Sequence, residues 1–384
     1  MFILNPPYIS ELLKNTIRKN GYSVVINNTS LDELGDYQNF LDDKAAKQEA
    51  ELDKNFKLYV NSEDSIEWIA KNLSFTDIPE KINLFKDKSK FRELLKDLYP
   101  DFYYKETTID GIKRLDKKQL KYPFIIKPAV GFLSFGVYPV KNEADFDKVL
   151  KNIDRDIDNF KGLFPAEVVD TSKFLIEELA GGEEYAIDAY YNSNGEAVIL
   201  NIFHHPFFDE NDVSDRVYYT SKDIIVKYLQ VFEKTLDDIG KKAGLKNFPM
   251  HFELRMDGSK IVPIEINPMR FAGWCDTDLA YYAYGINVYE YYMEDKKPDW
   301  NSILKDKHDE IYYFTGADTP MNINRKNIKN INYEQYLSNI ENPLEVRKTD
   351  FRNKPLFAIV FGQTKGYGEI KNLLSMDLSQ YIEL

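Results

Sequence analysis

The segment that most constrains the fold runs from His251 to Asn267 and reads His-Phe-Glu-Leu-Arg-Met-Asp-Gly-Ser-Lys-Ile-Val-Pro-Ile-Glu-Ile-Asn. Two alternating runs flank Asp257-Gly258-Ser259, a turn signal, so the segment predicts a β-hairpin. With the turn centred on Ser259, Glu253 falls opposite Glu265 and His251 opposite Asn267. Side chains alternate with a period of two. Those four therefore share one face, and Phe252, Leu254, Ile264 and Ile266 share the apolar one. Two carboxylates directly across a strand pair sit ~5 Å apart and repel. A divalent cation relieves that repulsion, and Mg²⁺ prefers one or two carboxylates plus substrate phosphates. An exposed sheet face with ordinary charges fits the same pattern, and a one-residue register slip dissolves the pairing. Arg270, just beyond, supplies a fixed cation suited to phosphate or carboxylate, or a surface salt bridge.

Around this hairpin the chain is long enough, at 384 residues, for two to three domains. It opens strand, helix, strand: an apolar run at 1–5, a helix at 10–20 with Gly21 as C-cap, and a β-branched run at 22–26. Further strands are expected at 57–61, 124–127, 137–140, 174–178, 185–191, 197–203, 250–256, 261–266 and 356–361. Helices are expected at 65–73, 89–98, 143–152 and 223–243. No G-x-G-x-x-G motif supports a dinucleotide site in the first unit.

A net charge of −13 argues against a general nucleic-acid binder, which needs a basic footprint. No apolar run reaches a membrane span: the longest candidate, 123–140, is interrupted by Lys127. The first residues lack a basic n-region, so they do not read as a secretory signal. A lone cysteine, Cys275, excludes an internal disulfide framework and a Cys-based zinc site. Together these point to a reducing, cytoplasmic setting. An acidic chain that handled an anion would have to concentrate its positive charge locally.

Two further segments carry chemistry. Lys127 stands at the end of an apolar strand, where a lysine needs an anionic partner. Gly131 and Gly136 bracket the loop after it, where backbone N–H groups suit phosphate, although a plain hairpin explains them as well. Glu177-Glu178-Leu179-Ala180-Gly-Gly-Glu-Glu184 is a strand, a glycine-containing hinge and a strand. It suits a planar base and sugar hydroxyls, or is an acidic turn.

In this order, Lys88 in Asp-Lys-Ser-Lys-Phe-Arg, Ile-Ile-Lys127-Pro with its loop, the Glu-Glu-Leu-x-Gly-x-Glu hinge, then Glu253 and Glu-x-Asn-Pro, the chain resembles the ATP-grasp superfamily, which includes carboxylate–amine ligases and biotin carboxylase-like enzymes. The resemblance covers about residues 85–292. It implies an α/β and α+β fold: a Rossmann-like pre-ATP-grasp unit at 1–84, a nucleotide-lid subdomain at 85–178, a central domain with the metal site at 179–309, and a C-terminal α+β segment at 310–384 packing on it.

By position, the resemblance makes Lys88 and Lys127 the ATP-phosphate lysines. The loop with Gly131, Ser134 and Gly136 becomes the flap. Glu177, Glu178, Leu179 and Ala180 become the adenine hinge, with Glu184 on the ribose. Glu253, Glu265 and Asn267 become ligands for Mg²⁺, for two ions in most relatives, with Mn²⁺ as the alternative. Arg270 would stabilise the transferring phosphoryl group, and His251 would contact substrate or orient a metal ligand. Two features depart from the common pattern. Phe132, Leu133 and Phe135 occupy the flap, and Met269 separates Pro268 from Arg270.

The implied activity is ADP-forming C–N ligation: a small-molecule carboxylate is activated as an acyl phosphate and joined to an amine. Phosphoryl transfer needs positioning and charge neutralisation more than covalent help. The alternatives are a bicarbonate-activating carboxylase-type enzyme and a non-catalytic ATP-binding regulator. Arg216, in the loop after His204-His205, is the candidate loop cation, or a solvent-exposed arginine. The expected partners are ATP and the small-molecule substrates, with no nucleic acid and no membrane, and relatives are often homodimers. Cys275 reads as a buried structural thiol.

Overall fold

The computed structural model describes residues 1–130, 136–160, 170–209, 212 and 214–384. Its strands are β1 (Phe2–Ile3), β2 (Val24–Val25), β3 (Phe40–Leu41), β4 (Tyr59–Val60), β5 (Tyr104–Thr107), β6 (Phe124–Val130), β7 (Tyr138–Val140), β8 (Asp170–Glu178), β9 (Glu183–Tyr191), β10 (Ala197–His205), β11 (Val217–Ser221), β12 (Phe248–Asp257), β13 (Lys260–Pro268), β14 (Ile311–Asp318), β15 (Asn330–Ile331), β16 (Pro343–Lys348), β17 (Leu356–Thr364) and β18 (Ile382–Glu383). The residues divide into two compact units. One comprises Met1–Thr76, Glu183–Glu253 and Met269–Leu384, and the other Asp77–Gly182 and Leu254–Pro268.

The first unit begins with a parallel sheet in the order β3-β2-β1-β4. Its first crossover is the expected helix, Glu11–Asn20. The Ser10 side chain accepts from the Leu13 N–H at its start, and Gly21 ends it in the left-handed region at φ 66°. The helix buries Leu13 and Ile17. A larger antiparallel sheet follows in the order β12-β9-β10-β11-β14-β17-β16. Every residue of β10 is buried, the polar Asn201, His204 and His205 along with its apolar residues. Helix Lys222–Ala243 packs against β10 with Phe232, Leu236 and Ile239 buried. The C-terminal strands extend this same sheet, with Val217 opposite Thr315 and Phe314 opposite Phe361. Both β14 and β17 are almost wholly buried, as interior strands of a covered sheet are.

The second unit has an antiparallel sheet ordered β5-β8-β6-β7. Ile126 pairs with Ile176 and Lys127 with Leu175. Phe124, Ile126, Phe174 and Ile176 bury one face of this sheet against Phe146, Val149 and Ile153 of helix Glu143–Phe160. The end of β12, the turn with Gly258 at φ 59°, and β13 belong to this unit as well. Gly182 is required where it stands. Its φ is 86°, and a Cβ there would meet the Met256 carbonyl oxygen at 2.2 Å. No helix among the described residues is long and apolar enough to cross a membrane.

Candidate active site

In the second unit, the expected helix at 89–98 is observed as Lys88–Leu95. Asp87 sets its start by accepting from the N–H groups of Ser89 and Lys90. Lys88 thereby occupies the first turn, and its Nζ lies 3.1 Å from Glu265 Oε2 on β13. Asn267 Nδ2 donates to the other oxygen, Glu265 Oε1, at 3.4 Å. Burial pushes the Glu265 carboxyl up, but Lys88, Lys86 and Lys127 outweigh it and hold its pKa at about 2. The structure thus brings together one predicted phosphate lysine and two of the three predicted metal ligands.

Lys127 sits in the middle of β6, beyond which the strand continues to Val130. It is 6% exposed. Its anionic partner is Glu177 on β8, with Nζ 2.7 Å from Oε2. The same carboxylate takes a second cation. Arg92 donates through Nε to Oε1 at 2.8 Å and through Nη2 to Oε2 at 3.1 Å. Its Nη1 donates to the Pro263 carbonyl of β13 at 2.6 Å, and its guanidinium lies 4.5 Å over the Phe102 ring. Burial raises the Glu177 carboxyl, but Lys127 and Arg92 prevail and bring it to about 2. Burial lowers Lys127 to about 8; Glu177 opposes this, and Arg92 and Lys88 add to it.

No motif in the sequence singles out Arg92, which completes this ion network. The available signal was its position four residues after Lys88, one turn along the same helix face. The Glu177 side chain faces this ion network, leaving only its backbone for a hinge role. Glu178 pairs with Lys260 at 2.9 Å, and its Oε2 accepts from the Tyr103 N–H at 3.2 Å. Ala180 is buried and its carbonyl accepts from Arg255 at 3.4 Å, and Leu179 is partly buried beside it. Gly136 is left-handed, at φ 73°. Gly131 and Ser134, with Phe132, Leu133 and Phe135, lie outside the described residues.

The first unit holds the other predicted residues. Glu184 Oε1 lies 3.0 Å from His205 Nδ1, and His205 Nε2 lies 3.1 Å from the Ser214 carbonyl. His251 Nδ1 lies 2.8 Å from Asp188 Oδ1, which also accepts the Ala272 N–H at 2.8 Å. The other His251 nitrogen is 3.6 Å from Glu253 Oε1. That ring is held as a positioned group between two carboxylates. Met269 is buried at φ 64°. Its N–H donates to the Pro249 carbonyl at 2.8 Å, and its carbonyl accepts from Val60 of β4 at 3.0 Å. The residue that interrupts Asn-Pro-Arg therefore ties the end of the motif to the N-terminal sheet. Arg270 then reaches Glu63 at 3.1 Å and the Phe271 carbonyl at 2.9 Å.

Arg216 departs from the expectation of a loop cation free to reach substrate. Its Nη1 donates to the carbonyls of Leu374 and Met376, at 3.1 and 2.9 Å, and Nη2 lies 3.7 Å from Asp318. Those carbonyls close helix Tyr367–Ser375, whose last carbonyls lack intrahelical donors and attract a cation. Cys275 is buried, and burial pushes its thiol up to about 12, which leaves it unreactive. Among the described residues, no group of three or more His, Cys, Asp or Glu side chains is arranged to hold a metal ion. The predicted set, two glutamates and an asparagine, is below that count.

Residues 120–278 match the family model described as the ATP-grasp domain. No curated protein matches the chain. Among solved structures, L-amino acid ligase from Bacillus licheniformis is 14% identical with a TM-score of 0.67, covering 100% of this chain and 97% of its own. Biotin carboxylase from Campylobacter jejuni is 15% identical with a TM-score of 0.63, covering 95% and 87%. N5-carboxyaminoimidazole synthase from Aspergillus clavatus, in complex with ADP and 5-aminoimidazole ribonucleotide, is 12% identical with a TM-score of 0.64, covering 99% and 97%. Residues 120–278 thus match the ATP-grasp domain model, and the chain carries the fold of these ATP-grasp structures along its length.

Proposed function

We propose that the protein is an ATP- and Mg²⁺-dependent ligase. It would activate a small-molecule carboxylate as an acyl phosphate, release ADP, and join the acyl group to an amine, with an amino acid or similar metabolite as substrate. The observation that carries this reading is Lys88 on Glu265 beside Asn267. A phosphate-type cation and hard oxygen donors lie together there, on a carboxyl held ionised. That donor chemistry fits Mg²⁺. Glu265, Asn267 and, from the motif, Glu253 would hold it, and when bound it would neutralise charge on the phosphates.

The chain's own residues do the rest in this reading. Lys88 and Lys127 hold the phosphates, with the flap that includes Gly131, Ser134 and Gly136. The backbone from Glu177 to Ala180 takes the base, and Glu184, held by His205, takes the ribose. Arg270 stabilises charge on the transferring phosphoryl group, and His251, held by Asp188, faces the acceptor. The carboxylate oxygen attacks the γ-phosphorus and ADP leaves. The amine then attacks the acyl carbon, loses a proton and expels phosphate. The four-part division, 1–84, 85–178, 179–309 and 310–384, belongs to the same reading, as does a homodimer like those of many relatives.

The test is ADP release across a panel of carboxylates and amines. ADP and phosphate should form only with a matched pair, and Glu265→Gln should lower turnover by about 10²–10³-fold, as loss of a preorganised charge-stabilising group does. Turnover by Glu265→Gln at the wild-type rate rejects the metal assignment. Bicarbonate-dependent ADP release without an amine supports the carboxylase-type alternative.

A further inference from the structure

We propose that Arg92 is a positioning residue for phosphate binding: through Glu177 it sets the ammonium of Lys127, and through the Pro263 carbonyl it sets the strand that carries Glu265. This rests on the reading of Lys127 and Lys88 as phosphate lysines.

Arg92 is 3% exposed and touches two strands and a loop residue from its helix. It stands on the helix that begins with Lys88. Two of its nitrogens grip Glu177 on β8, a third grips β13 two residues before Glu265, and its plane rests on Phe102. Glu177 in turn holds Lys127 of β6. Both lysines and one metal-type carboxylate are therefore indexed to a single guanidinium. Only a rigid fork serves all these contacts at once; a lysine has one charged point and a flexible stem.

The charge count argues against a purely structural ion cluster. Arg92 and Lys127 share one carboxylate, Glu177, so the buried group carries a surplus positive charge. A buried surplus is costly unless an anion meets it. Glu265 does not supply that anion, since it is matched by Lys88. A polyanionic phosphate would. By taking half of Glu177, Arg92 also keeps Lys127 from being fully neutralised by that carboxylate, which leaves the ammonium able to bind phosphate. The charged groups facing Lys127 are Glu177, Arg92 and Lys88, with Glu265 beside Lys88.

The experiment measures binding of a non-hydrolysable ATP analogue with Mg²⁺ by calorimetry between pH 6.5 and 9.5. It compares wild type, Arg92→Met, Arg92→Lys and Lys127→Met, with thermal melts as a folding control. Arg92→Met should weaken binding about 10- to 100-fold, the usual cost of removing a group that orients a ligating side chain. Arg92→Lys should fall between it and wild type. In wild type, affinity should decline above the Lys127 pKa near 8. In Arg92→Met that decline should move to higher pH, because a repelling cation is gone, and a merely structural arginine would not move it. If Arg92→Met does not fold, Arg92→Lys carries the test. Arg92 variants that fold, bind the analogue with wild-type affinity and keep the wild-type pH limb, while Lys127→Met binds weakly, overturn the positioning role alone. Wild-type affinity in Lys127→Met overturns the phosphate-lysine reading and the proposal with it.

Discussion

Each unit buries one arginine to the same extent, 3% exposed, yet the two sit in opposite charge balances. In the second unit, Arg92 and Lys127 share one carboxylate, Glu177. In the first, Arg347 of β16 faces two: its Nη2 lies 2.6 Å from Asp278 and 2.9 Å from Glu345. It also donates to the Cys275 carbonyl at 3.0 Å, and stacks 4.3 Å from the Phe361 ring. The surplus there is negative. Burial pushes the Asp278 carboxyl up, and pushes neighbouring Asp276 well up, so a proton relieves it without any ligand. In the second unit the corresponding relief is loss of a proton from Lys127 near pH 8, or an anion. The same residue type at the same depth thus serves two carboxylates in one unit and shares a single carboxylate with a lysine in the other.

The sharpest way to break this comparison is Arg347→Ala. It strands two carboxylates, so it should lower the unfolding free energy by about 3–5 kcal/mol. Urea denaturation followed by near-ultraviolet circular dichroism reads this, and a change below 1 kcal/mol would put Arg347 outside the structural class. Acid should act on the other centre. The Glu177 pKa falls from 4.5 in the unfolded chain to about 2 in the fold, so its ion pairs contribute fully above pH 4.5. That contribution is lost as pH drops toward 2, because the unfolded chain takes up the proton first. The stability gap between wild type and Glu177→Gln should shrink by about 3 kcal/mol across that window. A gap flat with pH would show that Glu177 is not ionised in the fold.

Smaller effects separate structure from chemistry. Arg216→Ala should cost about 1–2 kcal/mol, the value of its bonds to the Leu374 and Met376 carbonyls, with KM for ATP unchanged. A fall in turnover at unchanged stability would restore it as a loop cation. Finally, phosphate binding should raise the Lys127 pKa. At pH 8.5 nucleotide binding should then take up as much as about one proton, falling to none near pH 6.5, where the lysine is already charged. Calorimetry in buffers of differing ionisation enthalpy measures this. Equal uptake at both pH values would assign the proton to another group.

Much of the fold is local and was legible. Ser10 and Gly21 bound their helix because capping chemistry acts within a few residues. The turn with Gly258 follows from chain geometry, and β10 from its apolar run. The C-terminal strands were not recognised as part of the central sheet, because pairing between β11 and β14 joins residues nearly a hundred apart and leaves no local mark. Lys88, Lys127, Glu265 and Asn267 were legible as types in order. Arg92 was not, since its partners come from β8 and β13, and the bonds of Arg216 to the Leu374 and Met376 carbonyls leave no local mark because those carbonyls lie far along the chain. Met269 reads only as an interruption, whereas its backbone, at a left-handed φ, bonds Val60 of β4.

The amino-acid sequence by itself determined which charged groups exist, their order, and the local elements that carry them. Only the tertiary structure decided which cation shares which carboxylate. Coulomb attraction and desolvation depend on separation and burial, and both are set by strands and helices brought together from distant parts of the chain. That pairing made Arg92 and Lys127 a surplus of positive charge around Glu177, and Arg347 the counter-ion of two carboxylates.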